Sequence, residues 1–202
     1  MKLYYSKGAC SLVVRIILNE IGSKVDYESV NLKTKETETG TNFLTINPKG
    51  AVPALKLDNE EILTENAVIL QYLADSSKST QLLPAVGDLK RYRVLEWLNY
   101  ITTELHKGFG PLFNPSVPQD IKDKIFIPLI ESKFKYVNKQ LQKNQYLLGD
   151  HFTLPDAYLY VMLRWAESFN INVDGCTHLT TYYDELGKRK SIEQALEQEH
   201  LS

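Results

Sequence analysis

The chain has 202 residues, 43% of them hydrophobic and 24% charged, which is ordinary for a soluble globular protein of one large or two small domains. A formal net charge of −2, with no basic block or acidic tail, argues against nucleic acid and against a strongly anionic membrane as partners. Two cysteines, Cys10 and Cys176, supply neither a disulfide framework nor metal-ligand spacing, which suits a reducing cytoplasm and no bound metal.

The first 75 or so residues alternate strand and helix signals. Leu3 to Tyr5 reads as a strand, and 11–22 as a helix with Leu12, Ile16 and Ile17 on one side and Gly22 as its stop. The apolar run over 9–18 does not read as a signal peptide: Arg15 interrupts it, Asn19-Glu20 follows, and no small-x-small cleavage site appears. No run reaches the ~20 apolar residues of a membrane span. "VDYESVNL" (25–32) alternates like a half-buried strand. "VPALKL" and "EILTE" flank "DNE" as an antiparallel hairpin, and a helix runs from about Asn66 to Ser76. This βαβ-then-ββα order predicts a small mixed sheet covered by helices, an α/β domain over 1–80.

Residues 76–88, polar and small, read as a linker, and 87–202 as an all-helical domain. Val94, Leu98, Ile101 and Leu105 form a core stripe on a helix from Asp88 to Phe109, and Ile130, Phe134, Val137 and Leu141 repeat it. Pro128 is expected to end or kink any helix entering from 121. Thr153 and Asp156 stand at capping-box spacing ahead of the apolar "AYLYVMLRWA", which makes Asp156 structural rather than catalytic. Ser191 with Gln194 offers a second capping box for the last helix.

Four features could carry chemistry. Cys10 lies where a strand meets a helix, and the unpaired N–H groups and dipole there favour a thiolate; the same place also suits a buried structural cysteine. The Val52-Pro53 step in "NPKGAVPALKL" could leave the Val52 N–H and C=O on an edge for an extended peptide, or form an ordinary turn. Thr64-Glu65-Asn66 could hold an amino-acid head, carboxylate on the helix N–H groups and ammonium on Glu65, or serve only as a helix cap. Asn99, Thr103 and His106 line one helix face at i, i+4 and i+7, either a solvated face or one used for contact.

In this order, "KLYYSKGACSL", "NPKGAVPALKLDN", "LTENAVILQYLAD", "EWLNYITTELHKGFGPLF" and "GDHFTLPDAYLYVMLRWA" resemble the glutathione S-transferases, most closely the bacterial beta class, across almost the whole chain. The resemblance implies an N-terminal thioredoxin-like domain, an all-helical C-terminal domain, a cytoplasmic homodimer and glutathione as cosubstrate. It places Cys10 opposite the glutathione sulfur, Val52 on the cysteinyl unit, Glu65 and Asn66 on the γ-glutamyl head, and Lys35 near the glycine carboxylate. Asn99, Thr103, Glu104, His106 and Lys107 would form the helical wall, with Glu104 reaching the partner subunit's site. Trp165, Phe109, Leu112 and Phe113 would wall an apolar electrophile pocket. Three features depart from the family pattern: Asn66 stands where Ser or Gly is common, adding bulk beside the γ-glutamyl carboxylate, "KRKS" replaces the usual Arg-Pro before the last helix, and Pro128 interrupts a helix.

The activity implied is conjugation of reduced glutathione to hydrophobic electrophiles, a detoxification reaction. A thiol of pKa ~8.5 is only a few per cent ionised at pH 7. Donors near Cys10, Ser11 and His106 would stabilise the thiolate that attacks, with Tyr5 on the first strand as another candidate. Alternatives are thiol–disulfide exchange through a Cys10 mixed disulfide, isomerisation or reductive dehalogenation on the same fold, and a binding module without turnover.

Overall fold

The computed structural model describes residues 1–201, and they divide into two units: Met1–Thr80 with the chain from Arg189 onward, and Gln81–Lys188. The strands of the first unit are β1 (Lys2–Tyr5), β2 (Asp26–Asn31), β3 (Glu36–Thr37), β4 (Ala54–Lys56) and β5 (Ile62–Thr64), side by side in the order β3-β2-β1-β4-β5. β1 and β2 are parallel with Leu3 opposite Tyr27, so a helix must cross between them, and α1 (Leu12–Glu20) does so. β4 and β5 form the expected hairpin, Leu55 facing Leu63, while the two-residue β3 has no sequence signal of its own. Every residue of α1 from Leu12 to Leu18 is buried, and α2 (Asn66–Ser76) adds Ile69, Leu70 and Leu73. Each such Leu or Ile contributes roughly 1.5–3 kcal/mol by leaving water.

On β2, Glu28 is nearly buried, yet its carboxyl is held down at about 2. Burial pushes it up; hydrogen bonds from Lys2 (2.7 Å) and Thr39 (2.6 Å) outweigh that. A depressed carboxyl stabilises the fold above its unfolded value near 4.5, and that stability drains away as pH falls from there through about 2. Acid titration of the unfolding midpoint should therefore be flatter in this window for Glu28→Gln than for the natural chain.

The second unit is helical: α3 (Leu89–Tyr100), α4 (Lys107–Phe113), α5 (Gln119–Ile121), α6 (Ile127–Gln140), α7 (Leu154–Ser168) and α8 (Thr177–Gly187). Both predicted core stripes are buried. Two wide turns interrupt the α-helical ladder. Between α3 and α4, residues Ile101–His106 are π-helical, and the Lys107 N–H reaches back five residues to the Thr102 carbonyl. Between α5 and α6, Lys122–Phe126 is π-helical, with the Ile127 N–H on Lys122. Pro128 therefore does not end the helix: it sits in the first turn of α6, where a missing N–H costs little, directly after the widened turn.

The expected linker is only partly one. Leu82 and Leu83 are buried, and the Leu82 carbonyl accepts the Leu154 N–H, because two leucines lose too much by staying in water. The last helix, α9 (Lys190–Gln198), which the sequence reading ran with the helical domain through 202, packs on α1 in the first unit. Arg189, not Ser191, takes its N-cap position, with no side-chain capping bond; the Ser191 hydroxyl instead donates to Glu20 at 2.6 Å, and Arg189 binds the same carboxylate with two N–H groups. No helix among the described residues is long and apolar enough to cross a membrane.

Candidate active site

Cys10 ends the loop from β1 and is 8% exposed. Its thiol donates to the Val52 carbonyl at 3.3 Å, and its own carbonyl accepts the Asn66 side-chain amide at 2.9 Å. Asn66 thus turns inward from the first turn of α2 and ties that turn to the Cys10 loop. Ser11 is also turned in: fully buried, its hydroxyl accepts the Ser6 N–H and donates to the Ser6 carbonyl, closing the loop on itself. The Val52-Pro53 bond is cis. It leads into β4, which lies between β1 and β5, so Val52 stands at the end of an inner strand rather than along an edge. No acceptor among the described residues meets the Val52 N–H.

Glu65 precedes α2 with φ 71°, a left-handed conformation that costs a non-glycine residue of order 1–3 kcal/mol. No side chain caps that helix end. The Glu65 carboxylate stands half out in solvent, where Lys49 donates to it at 2.5 Å and to the Thr64 hydroxyl at 2.8 Å. Lys35, also left-handed, donates to the Gly50 carbonyl at 2.7 Å. Bonds from Cys10 to Val52 and Asn66, from Lys49 to Glu65 and from Lys35 to Gly50 therefore link these segments of the first unit.

In the second unit the π-helical turn carries Thr103, Glu104 and His106. His106 Nδ1 lies 2.6 Å from the hydroxyl of Tyr158, which is fully buried on α7, and the imidazole meets Trp165 edge-on at 5.2 Å. Trp165 is packed in turn by Phe109 and Phe113, and these two by Phe169. The Glu104 carboxylate pairs with Lys133 at 3.0 Å within its own unit, while the Thr103 hydroxyl bonds the Asn99 carbonyl one turn back. Asn99, Thr103 and Lys107 are exposed. Asp156 is wholly structural: its two oxygens accept the Leu147 N–H, the Thr153 N–H and hydroxyl, and the Tyr182 hydroxyl, and burial pushes its carboxyl up.

A family model for the glutathione S-transferase N-terminal domain matches residues 1–75, and one for the C-terminal domain matches residues 100–190. Glutathione S-transferase GstA of Escherichia coli O157:H7 is 45% identical over 201 residues, covering 100% of both chains. The chain belongs to the glutathione S-transferase family. The bacterial beta-class glutathione S-transferase of Sphingomonas chungbukensis has the same fold, with a TM-score of 0.95 at 39% identity over 100% of both chains. A sphingomonad glutathione S-transferase solved in complex with glutathione gives 0.94, again at 39% identity and full coverage of both. These similarities place the chain with the bacterial beta class and make it a glutathione transferase, with the thioredoxin-like mixed sheet and helical second part of that fold.

The transferase has contacts around these residues that sequence reasoning missed. Lys49 was unsigned except as the lysine of "NPKG", and Tyr158 as one polar tip in an apolar helix. Lys133 lies four residues before Val137 on α6, with nothing in the pattern to link it to Glu104.

Proposed function

We propose that this transferase binds reduced glutathione along the Cys10–Val52–Glu65 surface of its first unit and conjugates it to hydrophobic electrophiles, as a cytoplasmic, detoxifying homodimer. The observation that carries the reading is the pairing of an available Val52 N–H with the outward-held Glu65 carboxylate on one surface. An extended tripeptide thiol with an amino-acid head answers both: its cysteinyl backbone pairs at Val52, and its ammonium meets Glu65. The γ-glutamyl carboxylate goes to the uncapped start of α2, where Asn66 lies, and the glycine carboxylate to Lys35. The substrate sulfur comes to rest by Cys10. Ser11 supports the loop from within, and its part in stabilising the thiolate is through that loop.

In the second unit, His106 lies beside the aromatic group of Trp165, Phe109 and Phe113, which suits an apolar electrophile, and it is the second unit's candidate catalytic group. Asn99, Thr103, Glu104 and Lys107 supply the polar face. The thiolate attacks the electrophilic carbon, a C–S bond forms, and the leaving group departs with the electron pair.

Calorimetric titration with reduced glutathione should give saturable binding of one ligand per chain; no heat at millimolar ligand would leave a binding module without this ligand. With an activated aryl chloride as second substrate, Cys10→Ala and His106→Ala should each lower kcat/KM. Unchanged rates in both would sink the assignment.

Thiol–disulfide exchange is a second reading, favoured by the Cys10 thiol lying on the Val52 carbonyl, the strand end on which a peptide would pair. Cys10 thiolate would attack glutathione disulfide, forming a mixed disulfide and expelling one glutathione thiolate. Intact-mass analysis after exposure to glutathione disulfide should then show a single adduct, removable by reduced glutathione and missing in Cys10→Ala.

A further inference from the structure

Residues 191–201 lie outside both stretches matched by the family models, yet they reach the loop that carries Cys10. Glu199, just past α9, is 2% exposed. One carboxylate oxygen accepts the Gly8 N–H at 2.8 Å and the other accepts Arg15 Nε at 3.0 Å. The Arg15 guanidinium is itself fixed, lying 4.3 Å from the Tyr5 ring and 3.8 Å from the Tyr27 ring. The carboxylate is therefore clamped by the sheet and α1 on one side and holds the loop on the other. Gly8 has φ +68°, a turn conformation that side-chain-bearing residues rarely adopt, and it stands two residues before Cys10. The Ala9 N–H on the Ser6 carbonyl completes that turn.

We propose that Glu199 is a positioning residue for Cys10: it anchors the Gly8 turn, so the carboxyl-terminal segment fixes where the thiol sits. This rests on the reading of Cys10 as a site residue. A charge-assisted bond from a buried carboxylate to a backbone N–H is among the stronger tethers available to a loop, and its loss releases the loop about tenfold more often.

The two cysteines provide the test, since both are buried, Cys10 in the first unit and Cys176 in the second. Iodoacetamide labelling, read peptide by peptide by mass spectrometry, should show Cys10 reacting about tenfold faster in Glu199→Gln while Cys176 keeps its rate. Arg189→Ala, which loosens the start of α9 without touching Gly8, should leave Cys10 within about twofold. Because Glu199→Gln strands Arg15 as a buried charge, the double variant Arg15→Met/Glu199→Leu keeps packing while dropping the tether, and should behave as Glu199→Gln does. In the natural chain the Gly8 amide proton, bonded to a carboxylate, should resonate downfield and exchange slowly. A fast-exchanging Gly8 amide, equal acceleration of both cysteines, or an unchanged Cys10 rate in the double variant overturns the proposal. The reading of Cys10 as a site residue fails separately, through unchanged conjugation in Cys10→Ala.

Discussion

Asp156→Ala is expected to lower the melting temperature by roughly 10 °C or more and to reduce soluble yield. The carboxylate is fully buried and accepts four hydrogen bonds, joining the Thr153 cap, the Leu147 backbone and the Tyr182 hydroxyl across three segments of the second unit. Removing it leaves several donors buried without acceptors, at about 1–3 kcal/mol each before relaxation, and breaking a buried polar network typically costs ~3–5 kcal/mol in total. Against a domain stability of about 5–15 kcal/mol that is a large share. Asp156→Asn keeps the volume and acceptor oxygen but turns an amide toward the Thr153 or Leu147 donors, so it should fall between. Thermal unfolding followed by circular dichroism decides: a midpoint within about 3 °C of the natural chain would show that the network is dispensable. Glutathione affinity of the folded fraction should be unchanged, because none of Asp156's partners, Leu147, Thr153 and Tyr182, is among the residues proposed to hold the ligand.

Regular periodicity was the legible part of this sequence. The stripe Val94-Leu98-Ile101-Leu105 is buried residue for residue, as is the capping box at Thr153. The turn type was not legible: Ile101 and Leu105 keep their places on the core side, although the helix widens to π between Ile101 and His106. A four-residue repeat looks the same in one-dimensional text whether a turn holds 3.6 residues or slightly more. Long-range side-chain bonds were invisible for a different reason. Glu199 and Gly8 are separated by 191 positions, and an acidic residue near the end of an amphipathic helix reads as solvated surface. Ser191 misled in the same manner: its spacing to Gln194 fits a cap, but Glu20 from α1 claims the hydroxyl. Cys10, Val52 and Glu65 were legible as candidate site residues because each breaks a local rule, namely a thiol at a helix start, a proline entering a strand, and a charge where a cap belongs.

Glu65 breaks a second rule, and that predicts the sharpest separation of stability from binding. Its left-handed backbone favours glycine, while its side chain is about 61% exposed and binds the similarly exposed Lys49. An exposed pair of this kind stabilises the fold by only ~0–1 kcal/mol, no more than the ~1–3 kcal/mol that the strained φ costs. Glu65→Gly should therefore melt at or above the temperature of the natural chain, since relieving φ outweighs losing the exposed Lys49 pair. The same variant should bind reduced glutathione at least about tenfold and up to about a hundredfold more weakly, the worth of a charge-assisted bond to an ammonium group at roughly 1.5–3 kcal/mol. Glu65→Gln, which keeps shape and strain but not charge, should show the same loss of affinity with no gain in stability. Lys49→Met removes the competing cation and should leave affinity within about fivefold. Calorimetry on the three variants checks the set. If Glu65→Gly and Glu65→Gln both bind within about threefold of the natural chain, the ligand's amino group lies elsewhere and the orientation proposed along Val52 is wrong. If affinity collapses while the fold stays firm, the strained conformation at Glu65 is explained: a stabler residue was available at that position and would have cost the ligand its anchor.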